Sequence, residues 1–152
     1  MSTIFFDATV FTPNAALERQ AVVVDDTGTI AFVGKVEDAP KVAGLHLNLR
    51  GRILAPGFID VHVHGGNGVS FLEQEPTAGL EAYSNWVAST GVSGFLLSIA
   101  AADGAGLTRL TRAYAEILSQ GLSGSEPLGL HLEGPFINRE KKGAFNPSWI
   151  RP

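Results

Sequence analysis

Pro56-Gly57-Phe58-Ile59-Asp60-Val61-His62-Val63-His64-Gly65 is the stretch on which the fold turns. Ile59 to His64 reads as a strand, and Gly65-Gly66-Asn67-Gly68 closes it. Strand side chains alternate between two faces, so Asp60, His62 and His64 share one side. Downstream the rhythm is helical and extended by turns. Pro76 to Thr90 carries Leu80, Tyr83, Trp86 and Val87 near helical spacing, with proline at a first-turn position. Gly94 to Ala100 is an apolar strand, Leu107 to Leu118 a second helix stopped by Gly121, and Leu128 to Glu133 a third strand. The order β, α, β, α, β predicts a parallel sheet covered by helices, and the apolar run Phe95–Ile99 predicts burial on both faces.

Upstream the chain reads as all β. Ile4 to Phe11 is a short apolar strand ended by Thr12-Pro13-Asn14. Gln20 to Val24 and Ile30 to Val33 flank Asp25-Asp26-Thr27-Gly28-Thr29, which predicts a hairpin. Leu45 to Leu49 alternates apolar with polar and predicts a half-buried strand. A (β/α)8 barrel needs about 250 residues. The 152 present carry three strands of that kind, either a small open sheet or part of a barrel.

Composition narrows the function classes. Forty-five per cent of residues are hydrophobic and 17% charged, a globular balance. Net charge is −4 and the basic residues are scattered, so the stripe that nucleic acid requires is missing. Neither a polybasic amphipathic helix nor an apolar run of ~18 residues points to a membrane. The first residues, Met1 to Asp7, lack the basic and apolar regions of a signal peptide. With no cysteine, thiolate catalysis and cysteine-based zinc sites are excluded. A soluble cytoplasmic protein is the expectation.

Three segments carry the chemistry. His62 and His64, two imidazoles at i and i+2 on a strand end, can converge on one metal ion. Active sites in parallel α/β folds are built at that carboxyl edge. Asp60, on the same face, could orient a ligand histidine from behind or serve as a structural carboxylate. In Leu130-His131-Leu132-Glu133-Gly134-Pro135-Phe136, Glu133 lies at the end of the third strand and could complete a metal site, or pair with Lys141 or Lys142. His131 reads equally as a core histidine and is not assigned to metal. The polar loop Asn138 to Pro147 follows, where substrate could be held.

Taken together these segments resemble the amidohydrolase superfamily, and most closely its N-acetylglucosamine-6-phosphate deacetylases. The stretch from Pro56 to Gly65 looks like the first barrel strand of the superfamily. His131 to Phe136 followed by Lys141 to Pro147 looks like the third-strand signature of the deacetylases. The resemblance implies part of a small β-sandwich over residues 1–55 and the first three βα units of a TIM-type barrel over 56–152, truncated. It implies His62, His64 and Glu133 as metal ligands and one or two divalent ions, zinc or iron. Ala144 and Phe145 match positions that contact the amino sugar; Phe145 stands where many members have histidine. The reaction implied is hydrolysis of the acetamide to acetate and glucosamine 6-phosphate, with a phosphorylated amino sugar as partner and a homodimer for the full-length parent. No catalytic base is matched within the chain; it is expected beyond Pro152, which leaves the segment inactive alone. A dihydroorotase-like or isoaspartyl-peptidase-like enzyme and a non-catalytic remnant are the alternatives.

Overall fold

The structure, a computed structural model, describes residues 1–72, 76–100 and 103–152, with 76–78 described in backbone alone. The chain divides into two compact units, Met1–Pro56 and Gly57–Pro152.

The first unit is one sheet. Strands β1 (Ser2–Phe11), β2 (Ala16–Val24), β3 (Ile30–Lys35) and β4 (Gly44–Asn48) lie in the order β3-β2-β1-β4, and β5 (Ile53–Leu54) also pairs with β1. Successive β1, β2 and β3 are antiparallel, while β4 and β5 run parallel to β1. The predicted hairpin forms between β2 and β3. Its turn is built on Asp25, whose Oδ1 accepts from the Thr27 hydroxyl at 2.6 Å, the Thr27 amide at 2.9 Å and the Thr29 amide at 3.0 Å. These bonds, the Thr27 hydroxyl foremost, hold the Asp25 carboxyl below its ordinary range. A small core of Ala8, Val10 and Val22 is flanked by Phe5, Val24, Leu49 and Leu54. One expectation fails here. Every residue of β4 is exposed, so the alternation of Leu45 and Leu47 with polar neighbours does not mark a half-buried strand. A strand buries a face only where a second layer packs on it, and none of this unit's described residues supplies one over β4.

The second unit begins with β6 (Phe58–Val63) and a short hairpin of β7 (Gly65–Gly66) and β8 (Val69–Ser70). Helix α1 (Pro76–Ala88), β9 (Val92–Ala100), α2 (Gly104–Leu118) and β10 (Glu126–Glu133) follow. The sheet order is β10-β9-β6 and both pairings are parallel. Strand neighbours thus follow chain order, each joined to the next by a helix, as at the start of a barrel. Because β9 is central, Phe95, Leu97, Ser98 and Ile99 are fully buried. Leu80, Tyr83 and Val87 of α1 and Leu110, Tyr114 and Ile117 of α2 pack on that strand around Phe71. The Tyr114 hydroxyl donates to the Phe71 carbonyl at 3.0 Å, satisfying a polar atom inside this core. Helix α2 starts three residues before the predicted Leu107, because the Asp103 carboxylate caps it by accepting from the Gly106 amide at 2.7 Å.

Candidate metal centre and its cleft

The carboxyl ends of β6, β9 and β10 lie side by side, and the predicted ligands sit on the two outer strands. The β6 alternation holds: His62 and His64 emerge on one side with ring centroids 5.0 Å apart. Glu133, the last residue of β10, reaches them across β9. The Nε2 atoms of His62 and His64 are 3.1 Å apart, and Glu133 Oε2 lies 3.1 Å from the first and 2.9 Å from the second. Among the described residues, these three form the group of ligating side chains able to hold an ion. The alternative partners considered for Glu133, Lys141 and Lys142, make no ion pair with it; its recorded ion pairs are with the two imidazoles.

The chemistry of the donors can be tested for fit. His64 Nδ1 lies 2.9 Å from the Ser98 carbonyl, which can only accept, so that nitrogen carries the proton and Nε2 presents a lone pair. Glu133 Oε2 presents another. Lone pairs this close can be bridged by a ring proton or by a shared cation. A triangle with these three sides has its corners about 1.8 Å from its centre, just inside the ~2.0–2.2 Å bonds of zinc to imidazole and carboxylate. One small divalent ion therefore reaches all three atoms. The side chains of His62, His64 and Glu133 keep 53%, 43% and 35% exposure, which leaves one side of the group open to solvent.

Asp60 acts differently from a carboxylate bonded to a ligand ring. Its Oδ1 accepts from the His62 backbone amide at 3.1 Å, holding the strand rather than the imidazole. Its charge also reaches Tyr83, whose hydroxyl is pushed above its ordinary value by burial first and by Asp60 second. His131 stays outside the triad: its ring centroid is 4.7 Å from that of His62, and its Nδ1 is 2.9 Å from the Ser98 hydroxyl.

A cleft of about 450 Å³ adjoins the triad, walled by His64, Glu133, Leu72, Ala144, Phe145 and Trp149. Its size falls in the range of small-molecule sites. The two residues singled out in the polar loop therefore stand beside the ligands. Asn138 and Asn146 fold that loop, each accepting from the amide two residues on, at 2.8 and 3.0 Å. Lys142 Nζ pins it further by donating to the carbonyls of Gly143 and Phe145, at 3.1 and 3.0 Å. Sequence reasoning missed Leu72, Trp149 and Ser98. Leu72 lies in a turn and Trp149 ends a single 3-10 turn, Pro147–Trp149, both too short to show periodicity, and Ser98 hides in an apolar run.

No family model matches the chain. Known proteins do. It is 37% identical over 119 residues to the N-acetylglucosamine-6-phosphate deacetylase of Mus musculus, a match covering 73% of this chain and 27% of that protein. The crystal structure of N-acetylglucosamine-6-phosphate deacetylase from Pasteurella multocida superposes with a TM-score of 0.86 at 30% identity, over 99% of this chain and 39% of that one. The Mycobacterium smegmatis deacetylase, solved as a mutant in complex with N-acetyl-D-glucosamine-6-phosphate, gives 0.75 at 25% identity over 99% of this chain and 37% of that one. In sequence and in fold the chain is thus a relative of the N-acetylglucosamine-6-phosphate deacetylases that spans between 27% and 39% of the length of these three.

Proposed function

We propose that this chain is the metal-binding part of a hydrolase that removes the acetyl group of N-acetylglucosamine 6-phosphate, yielding acetate and glucosamine 6-phosphate. The observation that carries this reading is the triangle of His62 Nε2, His64 Nε2 and Glu133 Oε2 beside the cleft of Ala144 and Phe145. These three side chains would hold a divalent ion, zinc or iron(II), with capacity for a second. When bound, such an ion supplies Lewis-acid chemistry, acidifying a water and polarising an amide carbonyl.

The chain's own residues do the rest of what is assigned here. The Ser98 carbonyl keeps His64 in the tautomer that faces the ion, and Asp60 holds the His62 amide so that both rings converge. Leu72, Phe145 and Trp149 give the cleft apolar walls that exclude water from one side of the substrate. Phe145 offers no hydrogen bond through its ring, so contact with the sugar there is by packing. The group that passes a proton to the leaving amine is assigned to the length of the relatives that this chain does not span. The 152 residues alone are therefore expected to bind the ion without turning substrate over. The same reading carries a homodimer and a cytoplasmic location for the whole protein. Among the described residues no helix is long and apolar enough to cross a membrane.

The test has two parts. Zinc titration of the chain should show binding in the wild type. Glu133→Gln should lose more than the ~10–100-fold that changes behind the ligands cost. Acetate release should appear with N-acetylglucosamine 6-phosphate, and not with cyclic amides, once the chain is joined to the remaining length of a deacetylase. Turnover by the 152 residues alone, or wild-type zinc affinity in Glu133→Gln, would overturn the reading.

A further inference from the structure

The geometry points to Ser98 as a positioning residue that sets two imidazoles of the site in opposite tautomers, recruiting His64 to the ion and keeping His131 out. This rests on the metal site proposed above and names what selects its ligands. Ser98 is fully buried in the central strand β9. Its carbonyl lies 2.9 Å from His64 Nδ1, and a carbonyl can only accept, so His64 is protonated there and its Nε2 is free for an ion. Its hydroxyl oxygen accepts from the Val63 amide at 3.0 Å and stands 2.9 Å from His131 Nδ1. The hydroxyl proton needs an acceptor, since buried polar groups are rarely left unpaired. Among the described residues His131 Nδ1 is the acceptor recorded within its reach. His131 then holds its proton on Nε2, and neither of its nitrogens has a lone pair to give a metal. One serine thus explains why a third imidazole, 4.7 Å from His62 by ring centroid, is not a ligand. Through Val63 it also fixes the backbone between His62 and His64.

The experiment is long-range proton–nitrogen NMR of the histidines in the metal-free full chain, at a pH where the rings are neutral, joined to zinc titration. In the wild type His64 should report a proton on Nδ1 and His131 on Nε2. Ser98→Ala, which keeps the carbonyl and with it the His64 tautomer, should leave His131 in a mixture of tautomers and, by freeing the Val63 amide between the two ligands, weaken zinc about 10–100-fold. Ser98→Thr, which keeps the hydroxyl, should restore both. A wild-type His131 protonated on Nδ1 overturns the proposal even where no variant folds. So does a folded Ser98→Ala with an unchanged His131 tautomer and zinc affinity. A wild type that binds no zinc sinks the metal reading instead, and leaves the tautomer result standing on its own.

Discussion

Asp60 shows how much one atom's partner matters. Sequence alternation assigns it the ligand face of β6, yet its bond goes to the His62 amide, and its charge bears on Tyr83. Asparagine at this position keeps an acceptor of the same shape and loses the charge. Asp60→Asn is therefore expected to leave zinc affinity nearly intact, while Asp60→Ala, which orphans the amide, weakens it. In Asp60→Asn the Tyr83 hydroxyl should titrate lower than in the wild type but still above its ordinary value, because burial, the larger cause, remains. An NMR titration of the tyrosine ring carbons checks the direction, and an unshifted or raised Tyr83 would refute it. The period-two rule placed Asp60, His62 and His64 on one side of a strand from sequence, which is why the triad was legible. Which atom Asp60 would bond was not, since alternation assigns a face and says nothing of partners. Ser98 was invisible for a related reason: its hydroxyl acts on Val63 and His131, 35 and 33 residues away, through space that one strand's pattern does not encode.

Helix α2 lets the forces at element scale be ranked. Its inner face buries Leu110, Tyr114 and Ile117, its start is capped by Asp103, and the chain beyond it passes Gly124 against the backbone of Ser84 and Asn85. Leu110→Ala deletes a core side chain and is expected to cost about 2–5 kcal/mol. Asp103→Ala removes a cap, a cost of about 1 kcal/mol. Gly124→Ala should be worse than the cap variant, because the new methyl meets backbone that cannot step aside. Urea midpoints of the three variants give the order, and a cap variant as damaging as Leu110→Ala would contradict it. The apolar face of this helix was plain from spacing, whereas its first turn was not. Gly104 and Gly106 are poor helix formers, and the signal that outweighs them is the single aspartate in front. In β4 the error ran the other way: Leu45 and Leu47 alternate correctly, but alternation reports a strand's readiness to be covered, not whether a layer covers it.

At the scale of the molecule the two units differ in what they ask of their surroundings. The second has its core around β9, but its border strands show apolar side chains to solvent, Phe58, Ile59 and Val61 on β6, and Leu128 and Leu132 on β10. The proposed donors lie on these same two borders, His62 and His64 with the first strand and Glu133 with the third, so no adjacent pair of strands brings all three together. Whatever settles there fastens the margins of the sheet together like a clasp, and prising β9 loose must first evict it. Calorimetry of the chain should therefore register two events that part company as zinc is added. The transition of Gly57–Pro152 moves to higher temperature, gaining about 2.7 kcal/mol at a hundredfold excess over the dissociation constant. That of Met1–Pro56, which contributes no donor, stays where it was. A chelator should return the moved transition to its starting point, as expected of an ion that is a removable part of the architecture.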